Sequence, residues 1–454
     1  MIQAGEDLQY DRESRQLLEL LEQAGYRAYM VGGCVRDACM GRAFNDVDLT
    51  TSALPEQTEA VLAAAGVRFI ETGLQHGTVT AVLNGKTYEI TTFRTDGSYS
   101  DSRHPDGVTF VPDVETDLAR RDFTVNAMAY HPLQGLVDPF GGQLDLQRKC
   151  LRCVGNPTQR FTEDALRILR ALRFASVLGF TLEPETAKAA FALKDRLQYV
   201  SAERVYTELC KLLLGDWAFD VLVEYKEIIG VILPELIPTF TCSQHTKWHI
   251  YDVFTHIAKS VESSPKDADI RLVMLFHDVG KPACKTTDET GNDHFYGHPA
   301  VSEQLALAAL QRLKASRASI QRILPLICFH DGHIRTEEKS VKRWLRRLGA
   351  AGTLDLIDVK TADLAAQNLK YTQPEIEELY RTKRLLRDVL ERGDAFCLQD
   401  LDIGGRDLLE RGYQGKAIGA ALDALLDAVI SGEAENSNGA LLAHLEQLNL
   451  PKTE

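Results

Sequence analysis

Near Val154 the chain changes the period of its hydrophobic pattern, and no other feature constrains its fold as much. Before that point, short apolar or alternating runs lie between turn-rich breaks: Tyr29–Val31, Val47–Leu49, Gly77–Leu83 and Lys86–Arg94. These are strand signals, and the last run is strengthened by the β-branched residues Ile90, Thr91 and Thr92. A helix is predicted from Pro55 through the Ala-rich stretch to Ala65, with Ser52 as its N-cap candidate. Thr95 to Asp106, rich in Gly, Ser, Asp and Pro, reads as a mobile loop. After Val154 the period is helical: Thr162 onward, Glu185–Leu193, Ala202–Leu214 and nearly everything later, with a loop around Thr286 to Gly297. The expected class is α+β, a mixed head followed by a helical remainder.

A chain of 454 residues exceeds one ordinary core, so two to four domains are expected. The apolar fraction of 44% and the charged fraction of 26% are those of a globular protein. No apolar run reaches the roughly 18 residues of a membrane span. Met1 to Glu13 shows no basic start followed by an apolar stretch, so the expected location is the cytoplasm. Nine scattered cysteines, an odd number, argue for reduced thiols, and Cys150 and Cys153 are read as packed thiols rather than half of a zinc site. The net charge of −14 argues against non-specific attraction to nucleic acid, but local basic stripes are compatible with it. Arg167, Arg170 and Arg173 form one such concentration, and Lys342, Arg343, Arg346 and Arg347 another; a solvated helix face is the alternative for each.

The chemistry concentrates first in Val31-Gly32-Gly33-Cys34-Val35-Arg36-Asp37 and Asn45-Asp46-Val47-Asp48-Leu49. On a strand Asp46 and Asp48 face the same way, about 7 Å apart, with Val47 turned inward. Such a pair can hold hard cations such as Mg²⁺, and two metals would serve an attacking hydroxyl and a leaving pyrophosphate. Gly32 and Gly33 let backbone N–H groups approach phosphate at a helix start, within reach of Arg36.

These segments, with Arg120-Arg121-Asp122-Phe123-Thr124-Val125-Asn126-Ala127, Asp138-Pro139-Phe140-Gly141-Gly142 and Glu163-Asp164-Ala165-Leu166-Arg167, carry a family resemblance. The chain resembles the class II tRNA nucleotidyltransferases and bacterial poly(A) polymerases of the polymerase-β-like superfamily. The resemblance implies a nucleotidyltransferase head (1–150) with a small mixed sheet and an elongated all-helical remainder. That remainder would comprise a base-recognising neck (151–215), an HD-type body (216–370) and a tail (371–454) that contacts tRNA. It implies that Asp46 and Asp48 are catalytic and bind Mg²⁺, that Gly33, Arg36 and Arg121 contact the nucleotide, and that Glu89 is a further carboxylate near the metals or a solvated strand residue.

Asp164 and Arg167, three apart on a predicted helix, share a face and could be a plain ion pair. Cytosine and adenine, however, both present an amino donor beside a ring-nitrogen acceptor, which a carboxylate and a guanidinium complement. Guanine and uracil oppose like to like, and such mismatches discriminate strongly. The resemblance assigns this role to Asp164 and Arg167, with Arg170 and Arg173 further along the helix. The loop with Asp96, Tyr99, Asp101, Arg103 and His104 has the length that accompanies full CCA addition in this family, and an A-adding relative can carry it too.

A second motif, Leu-Phe-His277-Asp278-Val-Gly-Lys-Pro, closely matches the HD phosphohydrolase signature. By that resemblance His256, His277, Asp278 and Asp363 are metal ligands, joined by His298 and His330 if two metals bind; a retained scaffold of core histidines is the alternative. The implied function is a transferase of tRNA processing, ATP- and RNA-binding, that adds CCA to the tRNA 3′ end from CTP and ATP. CC-only or A-only addition, poly(A) synthesis and an HD-type phosphohydrolase stand as alternatives. Nothing in the sequence sets an oligomeric state.

Overall fold

The structure is a computed structural model that describes residues 10–44, 46–73, 77–97 and 107–453. It divides into two compact units, Met1–Pro234 and Glu235–Glu454.

The first unit opens with α1 (Arg12–Gln23), β1 (Ala28–Val31), α2 (Gly33–Cys39), β2 (Asp48–Thr51) and α3 (Pro55–Ala64). There follow β3 (Arg68–Gly73), β4 (Thr78–Leu83), β5 (Lys86–Thr92), β6 (Arg94–Asp96), β7 (Val108–Phe110) and α4 (Val114–Ala119). β8 (Ala129–His131), β9 (Gly135–Val137), α5 (Gly142–Gln147) and β10 (Cys150–Leu151) complete the head. Seven strands form one sheet in the order β3-β4-β5-β2-β1-β8-β9. It is mixed, because β2 and β5 run parallel while its other pairs are antiparallel. Alternation along β1 supplies both faces: Ala28 and Met30 join a core with Leu17, Leu21 and Leu49, whereas Tyr29 and Val31 join Phe93, Leu118 and Ala129.

Two local expectations need correction. Ser52 does not cap α3; the N-cap is Leu54, whose N–H donates to Gln57 Oε1 at 2.9 Å. Ser52 Oγ is instead occupied by the Arg27 N–H. The ends of the expected loop pair as the β6–β7 hairpin, Arg94 opposite Phe110; Tyr99, Asp101, Arg103 and His104 lie outside the described residues.

The helical part of this unit comprises α6 (Pro157–Glu163), α7 (Leu166–Leu178), α8 (Pro184–Leu193), α9 (Ala202–Leu213), α10 (Ala218–Glu224) and α11 (Lys226–Ile232). A two-residue strand β11 (Thr181–Leu182) pairs in parallel with β10.

The second unit begins with α12 (Val253–Ser263), α13 (Ala268–Phe276) and α14 (Lys281–Cys284). The predicted 286–297 loop holds a short hairpin, β12 (Thr286–Thr287) against β13 (Asp293–His294). α15 (His298–Arg312), α16 (Arg317–Phe329), α17 (Glu338–Ala365) and α18 (Leu369–Glu391) follow. α17 is broken at Gly349, where φ 70° and ψ 178° leave the helical region. α19 (Gly405–Glu410), α20 (Lys416–Ser431) and α21 (Asn438–Leu448) close around a core of their own that includes Leu408, Leu425 and Leu441. Among the described residues no helix is long and apolar enough to cross a membrane.

Candidate active site

β1 ends at Val31, which pairs in register with Asp48 on β2. Gly32 then turns the chain into α2 at φ 79° and ψ −128°, a conformation open to glycine and strained for any other residue. A Cβ there would also lie 3.0 Å from Arg121 Nη1. The Gly32 N–H donates to Met128 O at 3.1 Å, and Gly33 is the first residue of α2. Backbone pairing therefore brings the glycine turn alongside Asp48.

Asp46 precedes the strand rather than lying in it, yet Asp46 and Asp48 are exposed and Val47 is buried. Glu89 stands on β5 one residue before Ile90, the parallel partner of Leu49, and so flanks Asp48 across the sheet. Asp48 still touches solvent, but surrounding protein raises its carboxyl above the ordinary range; Glu89 and then Asp46 push the same way, and Arg121 pulls it down. Three acidic groups against one arginine leave a surplus of negative charge, which suits a cation.

Arg36 points inward. Its Nε and Nη2 both reach Asp37 at 2.8 Å, and its Nη1 donates to Asn126 Oδ1 at 2.7 Å. Asn126 Nδ2 donates onward to Asp122 Oδ1 at 3.2 Å, and Asp122 Oδ2 accepts from Arg170 Nε and Nη2 at 2.8 and 2.6 Å. Burial alone would raise the Asp122 carboxyl, but Arg170, ahead of Arg167 and Asn126, holds it down at about 2. This buried relay joins the glycine turn to α7.

Asp164 is not on a helix. It is an extended residue (φ −142°, ψ 105°) between α6 and α7. Its Oδ1 accepts the Leu166 N–H at 3.0 Å, a local bond that competes with helix continuation. Its Oδ2 accepts from Arg204 Nη2 at 2.7 Å. Arg167 pairs with Glu163 at 2.7 Å rather than with Asp164, and donates to the Arg120 and Arg160 carbonyls at 3.3 Å. Asp164 and Arg167 nevertheless line one cleft of about 600 Å³, with Arg120, Arg121, Asp122, Arg170, Arg204 and Glu208. Arg173 is absent from that lining; its Nε lies 3.0 Å from Glu208 and its guanidinium 4.0 Å over the Phe174 ring. Arg204 and Glu208 were not singled out in the sequence, and Asn126 and Glu163 stand in the family segments with no role of their own expected of them. Asn126 meets Arg36 across 90 residues and Arg204 meets Asp164 across 40, so no local pattern marks those contacts, whereas Glu163 pairs with Arg160 and Arg167 at the three- and four-residue spacing of a helix face.

The second unit gathers the other predicted ligands in its interior. His256 Nε2 lies 2.9 Å from Asp363 Oδ1 and 3.2 Å from Asp278 Oδ2, and His277 Nε2 lies 3.3 Å from Asp278 Oδ2. On the other Asp278 oxygen, Oδ1, stand His298 Nε2 at 3.1 Å and His330 Nε2 at 3.7 Å. Two groups result that share Asp278: His256, His277 and Asp278, and Asp278, His298 and His330. Each ring faces a backbone carbonyl with Nδ1: Met274 (2.7 Å) for His277, Phe295 (2.8 Å) for His298, Ile327 (2.7 Å) for His330 and Ala366 (3.4 Å) for His256. A carbonyl only accepts, so Nδ1 carries the hydrogen and Nε2 faces the centre. Burial opposes protonation of His277, but Asp278 and Asp363 raise it to about 10. Lys281, 2.6 Å from Asp278 Oδ2, and Lys360, which donates to the His330 carbonyl at 2.7 Å, flank the centre and were not anticipated.

Cys150 and Cys153 are both free thiols, and burial pushes Cys153 up to about 12.

Residues 28–152 match the family described as the Poly A polymerase head domain, and residues 179–239 match one described as the probable RNA and SrmB- binding site of polymerase A. The chain is 33% identical to a CCA-adding enzyme of Lactobacillus delbrueckii subsp. bulgaricus over 430 residues, covering 94% of this chain and 96% of the relative. It is 46% identical to the CCA-adding enzyme of Geobacillus kaustophilus over 438 residues, covering 95% and 96%. The crystal structure of the Bacillus stearothermophilus CCA-adding enzyme in complex with CTP superposes with TM-score 0.73 at 30% identity, covering 96% of this chain and 97% of that one. The Thermotoga maritima CCA-adding enzyme complexed with tRNA_CCA shares the fold at TM-score 0.60 and 20% identity, over 97% of each chain.

Proposed function

The chain belongs to the CCA-adding enzymes, and on that premise we propose that it adds CCA to the 3′ end of tRNA from CTP and ATP without a template. The observation that carries this reading is the position of Arg121. It lines the cleft beside Asp164 and Arg167, lies against the Gly32 turn and acts electrostatically on Asp48. One side chain thus spans the places for base, triphosphate and cation.

In this reading Asp164 accepts the exocyclic amino hydrogen of cytosine or adenine and Arg167 donates to the ring nitrogen. A carboxylate offers about four acceptor sites, so the Leu166 N–H and Arg204 leave Asp164 capacity for a base. Glu163 and Arg204 keep the two side chains where a base meets them, while Arg170 braces Asp122 below. The Gly32–Gly33 turn and Arg121 receive the triphosphate; Arg36, held by Asp37 and Asn126, stiffens the start of α2. Asp46 and Asp48 would hold Mg²⁺, and the acidic surplus around Asp48 fits that group. When bound, the metal supplies positive charge to the attacking 3′-hydroxyl and the leaving pyrophosphate. This reading places the protein in the cytoplasm, where free thiols stay reduced.

The test is extension of tRNA ending at the discriminator base. Two residues should be added with CTP alone, and a third only when ATP is also present. Extension of tRNA-CC alone, or untemplated A runs, would replace the proposal with A-addition or poly(A) synthesis.

One observation favours a second reading for the other unit. His256 Nε2 and His277 Nε2 are 3.3 Å apart, and His298 Nε2 and His330 Nε2 are 3.1 Å apart. Ring nitrogens facing each other at that distance need a proton or a cation between them. The chemistry of the set, imidazoles with shared carboxylates, fits divalent metals. His256, His277, Asp278 and Asp363 would hold one ion and Asp278, His298 and His330 another; a metal there supplies activated water for a phosphoester.

A further inference from the structure

The first half of α17 carries two ridges of charge four residues apart, and they differ. On one ridge, Lys342 lies 2.9 Å from Asp394, and Arg346 reaches Asp427 and Asp423 at 2.6 and 2.7 Å. On the other, Lys339, Arg343 and Arg347 have no carboxylate partner among the described residues, and all three are exposed. They line a cleft of about 860 Å³ with Arg335 and the half-buried Trp344. Asp427, also in the lining, is committed to Arg346, which leaves Glu337 as the one lining carboxylate without a cation among the described residues. The cleft is therefore strongly positive on a chain whose net charge is −14.

The arrangement is built. The Arg347 guanidinium lies 4.9 Å over the Phe329 ring and 5.3 Å over the Trp344 ring, and those rings meet edge to face at 5.6 Å. Stacking fixes the plane of Arg347 and leaves its N–H edges for an anion. Residues four apart on a helix advance about 6 Å, so the free cations form a short ladder suited to successive phosphates of one strand. Arginine on an aromatic platform within a row of cations is the combination that takes a nucleic-acid backbone with a base against the ring.

We propose that this cleft grips the phosphate backbone of the tRNA substrate, through Arg335, Lys339, Arg343 and Arg347 with Trp344 beside them. The proposal rests on the tRNA reading above and adds the surface in the helical unit that holds the substrate. Counterion release makes it measurable: each phosphate contact contributes about 0.7 to 0.9 to the slope of log Kd against log salt.

The experiment uses the full chain with tRNA lacking CCA. R343Q/R347Q should weaken tRNA binding about tenfold or more at fixed salt and flatten the salt slope by about two contacts. The KM for tRNA should rise with kcat within about twofold, and the KM for CTP should not move. R343E/R347E should have a larger effect of the same kind. An unchanged slope and KM for tRNA in both variants, with wild-type protein still extending tRNA, would overturn this inference alone. Wild-type protein that fails to extend tRNA would instead overturn the function on which it rests.

Discussion

Arg204 Nη2 lies 2.7 Å from Asp164 Oδ2, an ion pair between residues 40 apart in sequence. Asp164 stands in a non-helical link between two helices, so its orientation depends on α9 rather than on its own helix. In the proposed pairing scheme, that contact would couple base choice to helix packing.

The first prediction follows from it. Asp164→Ala and Arg167→Ala should lower the preference for CTP and ATP over UTP and GTP by about ten- to a hundredfold, the scale of hydrogen bonds to charged groups. Arg204→Ala should do the same more weakly, because the carboxylate remains but loses its hold. Single-turnover kcat/KM with each triphosphate measures this; an unaltered preference in Asp164→Ala would remove the pairing scheme.

Asp48 gives a pH prediction. Its carboxyl is raised in the folded chain by desolvation, Glu89 and Asp46. The folded state then binds the proton more readily than the unfolded one, so this group's contribution to stability declines as pH rises through its raised pKa. Asp48→Asn should therefore unfold at a higher Tm than the metal-free parent at pH 7, with the gap closing toward pH 4, while transfer activity falls by about a thousandfold. Mg²⁺ at about 100 times its Kd should stabilise the parent by about 2.7 kcal/mol and the variant by much less. Scanning calorimetry across pH, with and without Mg²⁺, reads both, and a gap that widens toward pH 4 would contradict the assignment.

Gly32→Ala is expected to harm rate and stability together. The backbone there sits at φ 79°, and the new Cβ would stand 3.0 Å from Arg121 Nη1. About 1–3 kcal/mol of strain follows. Displacing Arg121 by even 1 Å should cost on the order of a hundredfold in kcat/KM for CTP. Denaturant unfolding and CTP kinetics would show it; normal kinetics in Gly32→Ala would separate Arg121 from the nucleotide.

The histidine centre is tested by metal content. Asp278 contributes one oxygen to each three-residue group, so Asp278→Ala should lose both ions after loading with Mn²⁺ or Zn²⁺. His298→Ala should lose about one of the two. CCA addition should stay within about twofold in both variants. Elemental analysis of desalted protein decides it: an Asp278→Ala protein with parental metal content ends the reading.

Much of this was legible in the sequence because it depends on short-range pattern. The change of period near Val154 reflects a head whose strands alternate, such as β1 with Met30 and Val31 facing opposite cores. The Asp46-Val47-Asp48 alternation was readable even though the strand starts only at Asp48. The failures come from competition that no local window records. Asp164 leaves the helix because its own carboxylate takes the Leu166 N–H and Arg204 anchors it from α9. Ser52 yields α3 to Leu54 and Gln57 because β1 needs its hydroxyl for the Arg27 N–H. Lys342 and Arg346 looked like Arg343 in the sequence, and only folding supplied acidic partners to two of the three.

The anchoring of His277, His298 and His330 to carbonyls three residues earlier has a consequence for how their centre can change over evolutionary time. Each imidazole is held at Nδ1 by its own turn of chain, while its Nε2 meets its neighbours at the centre. Replacing one would leave the backbone anchors of the others in place, so under the proposed metal reading these donors could be lost or regained singly without dismantling the surrounding helices.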